Sequence, residues 1–176
     1  MSFLILFGLT IVFVGFFLVR TRLKVSRLAR LSWDDLVAKL EPVSVSGIST
    51  VALDYLQPVK GQLSIEPNAL WAMIGEAEGM RRMYANAEIL IALAGYARRW
   101  NFHESVIVAE RMRRDGVALR RATLRLSFGT ALGYGQVRGP FNVQEAASAY
   151  YLMRQRLLAL YETSHAGRYP RLAAAL

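Results

Sequence analysis

The chain opens with an unbroken apolar run. Phe3 to Val19 holds one polar side chain, Thr10, and no charge. A 17-residue helix rises about 26 Å, close to the hydrocarbon thickness of about 30 Å. Arg20 and Arg22 follow directly and can snorkel to the interface. A cleaved signal peptide fits less well. It needs a basic segment before the apolar run and a small-x-small cleavage site after it, and here Arg-Thr-Arg follows instead. A terminal core helix is the other alternative, against which the basic flank argues. Residues 1–20 are therefore expected to form a transmembrane anchor, with a basic juxtamembrane segment over 21–31, a helical domain over 32–165 and a looser tail over 166–176.

Beyond the anchor the apolar spacing is helical throughout, and no segment alternates as a strand does. Ser32 can cap a helix that carries Asp34 and Asp35 in its first turn and ends near Glu41-Pro42. Val43 to Thr50 reads as a connector, Val51 to Gln57 as a short helix, and Val59 to Glu66 as a loop. Pro67 sits where a first-turn proline belongs, opening a helix to about Met80. Ala85 to Trp100 is apolar all round in its middle, which predicts burial on several sides. A turn is expected near Asn101, then a helix from His103 to Asp115, with Gly116 as a break. Another helix follows from Ala118 to about Leu132. Gly133, Gly135, Gly139 and Pro140 suggest a loop. Asn142 would then cap a last helix reaching about His165. The expected fold class is all-α: one N-terminal transmembrane helix, then a helical-hairpin domain built as a bundle or a short repeat.

Composition sharpens this. The hydrophobic fraction of 54% exceeds the usual level, which implies an ordered domain beyond the anchor. With no Cys, disulfides and thiolate chemistry are excluded. Of the net charge of +9, five positive charges belong to Arg20, Arg22, Lys24, Arg27 and Arg30, with no acid among them. The rest of the chain carries 17 basic and 13 acidic side chains, a net of +4. These five residues form the expected membrane-surface cluster, where each cation near an anionic bilayer contributes about 1 kcal/mol. Because the positive charge lies C-terminal to the run, the N-terminus is expected outside and the domain in the cytoplasm, at the inner membrane of a cell. The preference for Arg over Lys, present only as Lys24, Lys39 and Lys60, suits a GC-rich bacterial source. Gly8 and Gly15 share a helix face and could seat a partner helix.

Ala87 to Arg121 places Gly95-Tyr96 late in one helix, Glu104 at the start of the next, Met112 near its end, then Gly116-Val117 and Thr123. Glu145-Ala146 and Met153 are spaced like the second helix of a further hairpin. This pattern, over about 87–155, resembles the helical hairpins of the tetratricopeptide and pentatricopeptide repeat class. The resemblance implies a stacked helical scaffold that binds a partner. Pentatricopeptide repeats read single-stranded RNA through polar residues at two set positions. Here those positions fall on Ile91 and Arg121, and Ile91 cannot hydrogen-bond a base.

No catalytic constellation is visible. Glu162-x-x-His165 has the spacing of a di-iron half-site, but no second copy occurs. Gly133-Tyr-Gly135 lacks the third glycine of a dinucleotide fingerprint. Walker, Gly-x-Ser-x-Gly and Ser-x-x-Lys motifs are absent. Glu76, Glu78 and Glu88 lie near arginines and suit solvated ion pairs. No cofactor or metal is expected, although lipids and pigments bind helices without any sequence signal. The most suggestive surface is Arg111, Arg113, Arg114, Arg120, Arg121 and Arg125, countered in that window only by Asp115. On a continuous helix Arg111, Arg114, Arg121 and Arg125 would share a face suited to carboxylate or phosphate partners. The function expected is therefore that of a non-catalytic interaction protein, an accessory subunit of a bacterial membrane complex. The alternatives are a membrane-tethered nucleic-acid binder and an enzyme with an unrecognised site.

Overall fold

The computed structural model describes residues 26–57, 65–131 and 135–176, with side chains for all of these except 127–131 and 135–138. The anchor, Gly8, Gly15, Arg20, Arg22 and Lys24 lie outside the described residues, as does most of the Val59 to Glu66 segment. The domain is all-α. Among the described residues there is no strand, and no helix is long and apolar enough to cross a membrane.

After a helical stretch over 26–29, the elements are α1 (Trp33–Ala38), α2 (Val45–Leu56), α3 (Pro67–Met73) and α4 (Glu76–Tyr96). A 3₁₀ turn (Ala97–Arg99) leads into α5 (Phe102–Ala131), α6 (Gly135–Ser164) and α7 (Tyr169–Ala175). α4, α5 and α6 form a three-helix core with short connections, so sequence neighbours run antiparallel. The Glu88–Arg120 pair at 3.3 Å sets the register of α4 against α5. Arg125–Glu145 at 3.3 Å and Asp115–Arg156 set that of α5 against α6. α2 packs on the side of α6, and α1 and α7 close one end of the bundle.

Ser32 does cap α1: its hydroxyl accepts from the Asp35 N–H while the Asp35 carboxylate accepts from the Ser32 N–H. Pro67 does open α3. Several expected breaks are corrected. The connector over Val43 to Thr50 is mostly helix. The Ser49 and Thr50 hydroxyls donate to the carbonyls of Val45 and Ser46, so they do not compete with the turn, and Ile48, Val51 and Ala52 are buried on one face. The helix expected from Pro67 to Met80 is split at Gly75, whose φ of +82° ends α3 with a left-handed residue. α4 then runs unbroken to Tyr96, joining two segments that read as separate.

Gly116 does not break α5. Its helix continues because Met112, Leu119 and Ala122 on either side of it are fully buried. A Cβ at Gly116 would stand 3.3 Å from Ile91 Cδ1 and 3.9 Å from Met153 Cε, so this glycine marks close approach of three helices. Gly135, Gly139 and Pro140 belong to α6, and Asn142 is inside that helix and is not its cap. Pro140, the sixth residue of α6, removes one backbone hydrogen bond and crowds the carbonyl one turn earlier. Residues 166–176 are no loose tail, since α7 buries Leu172 and Leu176.

Two polar ties fix the core. Asn86, buried on α4, accepts from the Glu41 N–H at 2.9 Å and donates to the Glu41 carbonyl at 2.7 Å and to the Tyr150 hydroxyl at 3.2 Å. The Tyr161 hydroxyl donates to the Leu93 carbonyl at 2.9 Å. Burial raises the pKa of both tyrosines, because a phenolate there would be stripped of water. At the closed end the Arg168 guanidinium lies 4.7 Å from the Trp100 ring centroid, 5.1 Å from that of Trp33 and 5.6 Å from that of Tyr96. Arg171 pairs with Asp34 at 2.7 Å. These contacts hold α7 on α1 across most of the chain's length.

Candidate docking face and an adjoining trough

Continuity of α5 through Gly116 decides the candidate site. Residues seven apart on an unbroken helix recur on one face. The outward face of α5 carries one such row of Ile107, Arg114 and Arg121, and a second of Glu110, Val117 and Leu124. Ile107 and Val117 are each 55% exposed and Leu124 51%, which is unusual for three large apolar side chains on one stripe. Arg111 and Arg125 flank the stripe, and both are exposed.

The arginines are not equivalent. Arg113 and Arg114 flank Glu110 at 3.2 and 3.9 Å, while Arg125 reaches across to Glu145. Arg120 turns away from the stripe toward Glu88 on α4. The window therefore holds more acid than Asp115 alone once neighbouring helices are counted. The Arg114 side chain stays 80% exposed despite its contact. Arg111 lies near Arg156, whose pKa is lowered first by burial and then by the Arg111 charge. Of the four arginines expected to share a face, the structure does place Arg111, Arg114, Arg121 and Arg125 along one side of α5. Ile107, Val117 and Leu124 were not singled out from the sequence. They fall on one stripe only if α5 is continuous, and a helix break at Gly116 would have separated Ile107 from Val117 and Leu124.

Arg27 and Arg30 are exposed in the described part of the basic segment. Glu78 is held by Arg81 and Arg82 at 2.8 and 3.0 Å, and these two hydrogen bonds, Arg81 first, lower its pKa to about 2. His165 packs at 4.7 Å from the Trp100 ring. Among the described residues no three His, Asp or Glu side chains gather as a metal site requires.

Beside the docking face a trough of about 530 Å³ runs between α4 and α5, roofed by the segment from Leu28 to Leu36. Its floor includes Ile91, Ala92 and Gly95, and its rim includes Arg98, Arg99, Arg113 and Arg120. Val117 borders both the trough and the outward stripe.

Compared with known proteins, the chain matches no family model, no curated protein and no solved structure.

Proposed function

We propose that this chain is a non-catalytic docking subunit of a bacterial membrane complex. In this reading Phe3 to Val19 anchors it with the N-terminus outside, Arg20, Arg22, Lys24, Arg27 and Arg30 meet the cytoplasmic lipid surface, and the helical domain recruits a partner. The observation that carries the reading is the outward face of α5, where Ile107, Val117 and Leu124 stand exposed among Arg111, Arg114 and Arg121. Exposed apolar side chains along one stripe of a continuous helix suit a helix laid alongside, and the cations suit acids on that helix. The partner would be an acidic amphipathic helix of another subunit. Gly8 and Gly15 would add contact within the membrane.

A nucleic-acid role draws less support. Single strands stack on aromatic platforms, and no Phe, Tyr or Trp interleaves the arginines between Glu104 and Leu126. Extraction of the full chain in mild detergent, then size exclusion and mass spectrometry, tests the docking reading. A stoichiometric set of membrane subunits is expected with the wild type and is lost with Arg121→Glu/Leu124→Glu. A solitary chain, or a complex indifferent to that pair, contradicts it.

A further inference from the structure

The trough between α4 and α5 differs from the outward stripe in being concave, and its volume of about 530 Å³ falls in the usual range for small-molecule sites. Its chemistry is divided. Leu28, Leu31, Ile91 and Ala92 make an apolar channel, while four arginines and one carboxylate, Glu88, contribute the charge. Glu88 is engaged by Arg120. In the register that sets Glu88 against Arg120 and Ile91 against Gly116, Arg113 stands level with Gly95, about one turn from Arg98 and Arg99. The cationic excess therefore gathers at one end of an apolar channel.

Gly95 supplies an independent observation. It is the penultimate residue of α4, with a helical backbone that does not call for glycine, and alanine at such a position is more favourable by about 0.4–1 kcal/mol. Close packing does not require it: a Cβ there would meet no atom within 4 Å. Its contrast is Gly116 across the channel, which does face a tight contact. Glycine at position 95 leaves the channel wide at its cationic end.

We infer that this trough binds a single-chain lipid with an anionic head, its acyl chain along Ile91, Ala92 and Leu31 and its carboxylate or phosphate at Arg98, Arg99 and Arg113. The planar guanidinium fork suits both head groups. The inference stands whether or not Phe3 to Val19 spans a bilayer; the trough meets the docking face only at Val117 and at Arg113, which also pairs with Glu110 at 3.2 Å.

The test is photolabelling of the full chain in phosphatidylcholine nanodiscs with a diazirine-bearing palmitate, followed by peptide mapping. Labels are expected within 87–99 and 113–120. Loss of two charge-assisted contacts should lower labelling by at least about tenfold in Arg98→Glu/Arg113→Glu, and Gly95→Phe should block it by filling the channel. Oleate and lysophosphatidylglycerol should compete, and lysophosphatidylcholine should not. Competition by oleate alone assigns a carboxylate ligand, and by lysophosphatidylglycerol alone a phosphate, and both keep the site. Should Gly95→Phe lose its native melt, the arginine pair carries the test, since both positions are exposed. Labels elsewhere, equal competition by lysophosphatidylcholine, or undiminished labelling of a natively folded arginine variant would overturn the inference.

Discussion

α4 meets its two long neighbours in opposite ways. Toward α6 it presents Asn86, Leu90 and Leu93, which are buried and partly tied by hydrogen bonds to Tyr150 and Tyr161. Toward α5 it presents Glu88, Ile91, Ala92 and Gly95, which close on α5 at Gly116 but leave a trough alongside. The first side is specified by packing and by polar groups with fixed partners. The second holds an ion pair, a cavity and arginines in excess of nearby acids. α5 extends the contrast, with Met112 and Leu119 sealed inside and Val117 and Leu124 open to water. Side chains that stabilise the domain and side chains available to bind thus occupy different faces of the same helices.

Breaking the closed side should have the largest effect. Leu90→Ala or Leu157→Ala removes a fully buried side chain and should cost about 2–5 kcal/mol. Leu124→Ala on the open face should change stability by no more than about 0.5 kcal/mol. Denaturant melts of the full chain in one detergent compare them, and equal losses would erase the distinction. Next comes Asn86→Leu, which strands the Glu41 N–H and carbonyl and the Tyr150 hydroxyl. A loss of about 1–3 kcal/mol is expected, read from the same melts.

Arg168→Ala tests the closed end. A desolvated cation among aromatic rings contributes about 2 kcal/mol, so the melting midpoint should fall and Trp33 fluorescence should shift toward that of an exposed indole. Gly95→Ala should move the other way, raising stability by about 0.4–1 kcal/mol, because its methyl enters open space at a helical backbone position.

The smallest effect concerns pH. Glu78 has its pKa lowered to about 2 from an ordinary 4.5. The stabilisation from its ion pairs is therefore complete above pH 4.5 and is lost as pH falls toward 2. The groups are solvent-exposed, so salt should shrink the effect. Glu78→Gln should flatten the profile by lowering stability slightly at neutral pH, while leaving the acid end, where Glu78 is already protonated, nearly unchanged.

Local signals were legible where the chain itself supplies the partner. Ser32 and Asp35 cap each other, and Pro67 opens α3. Asn101 closes the turn it was expected to mark, accepting from the Glu104 N–H at 3.2 Å. The misread positions are those where distant residues overrule a local preference. Gly116 resembles a helix stop but is kept helical between Ile91 and Met153. Gly139 and Pro140 resemble a loop, yet α6 runs through them. The segment after His165 lacks a strong helical pattern, and its order comes from Trp33, Trp100 and Asp34. The arginines of the docking face could be read from sequence because charge density is a local property. Its apolar half and the trough could not, because both depend on α5 being unbroken and on the fit of α4 beside it.

The docking face is tested most directly by placing a photocrosslinking residue at position 124 of the full chain in its native membrane, with position 155 on the exposed side of α6 as control. Adducts are expected from position 124 to an acidic amphipathic helix of a membrane subunit, and none to that helix from position 155. Equal adducts from both positions, or none from position 124 while the chain is folded in the membrane, would contradict the docking reading.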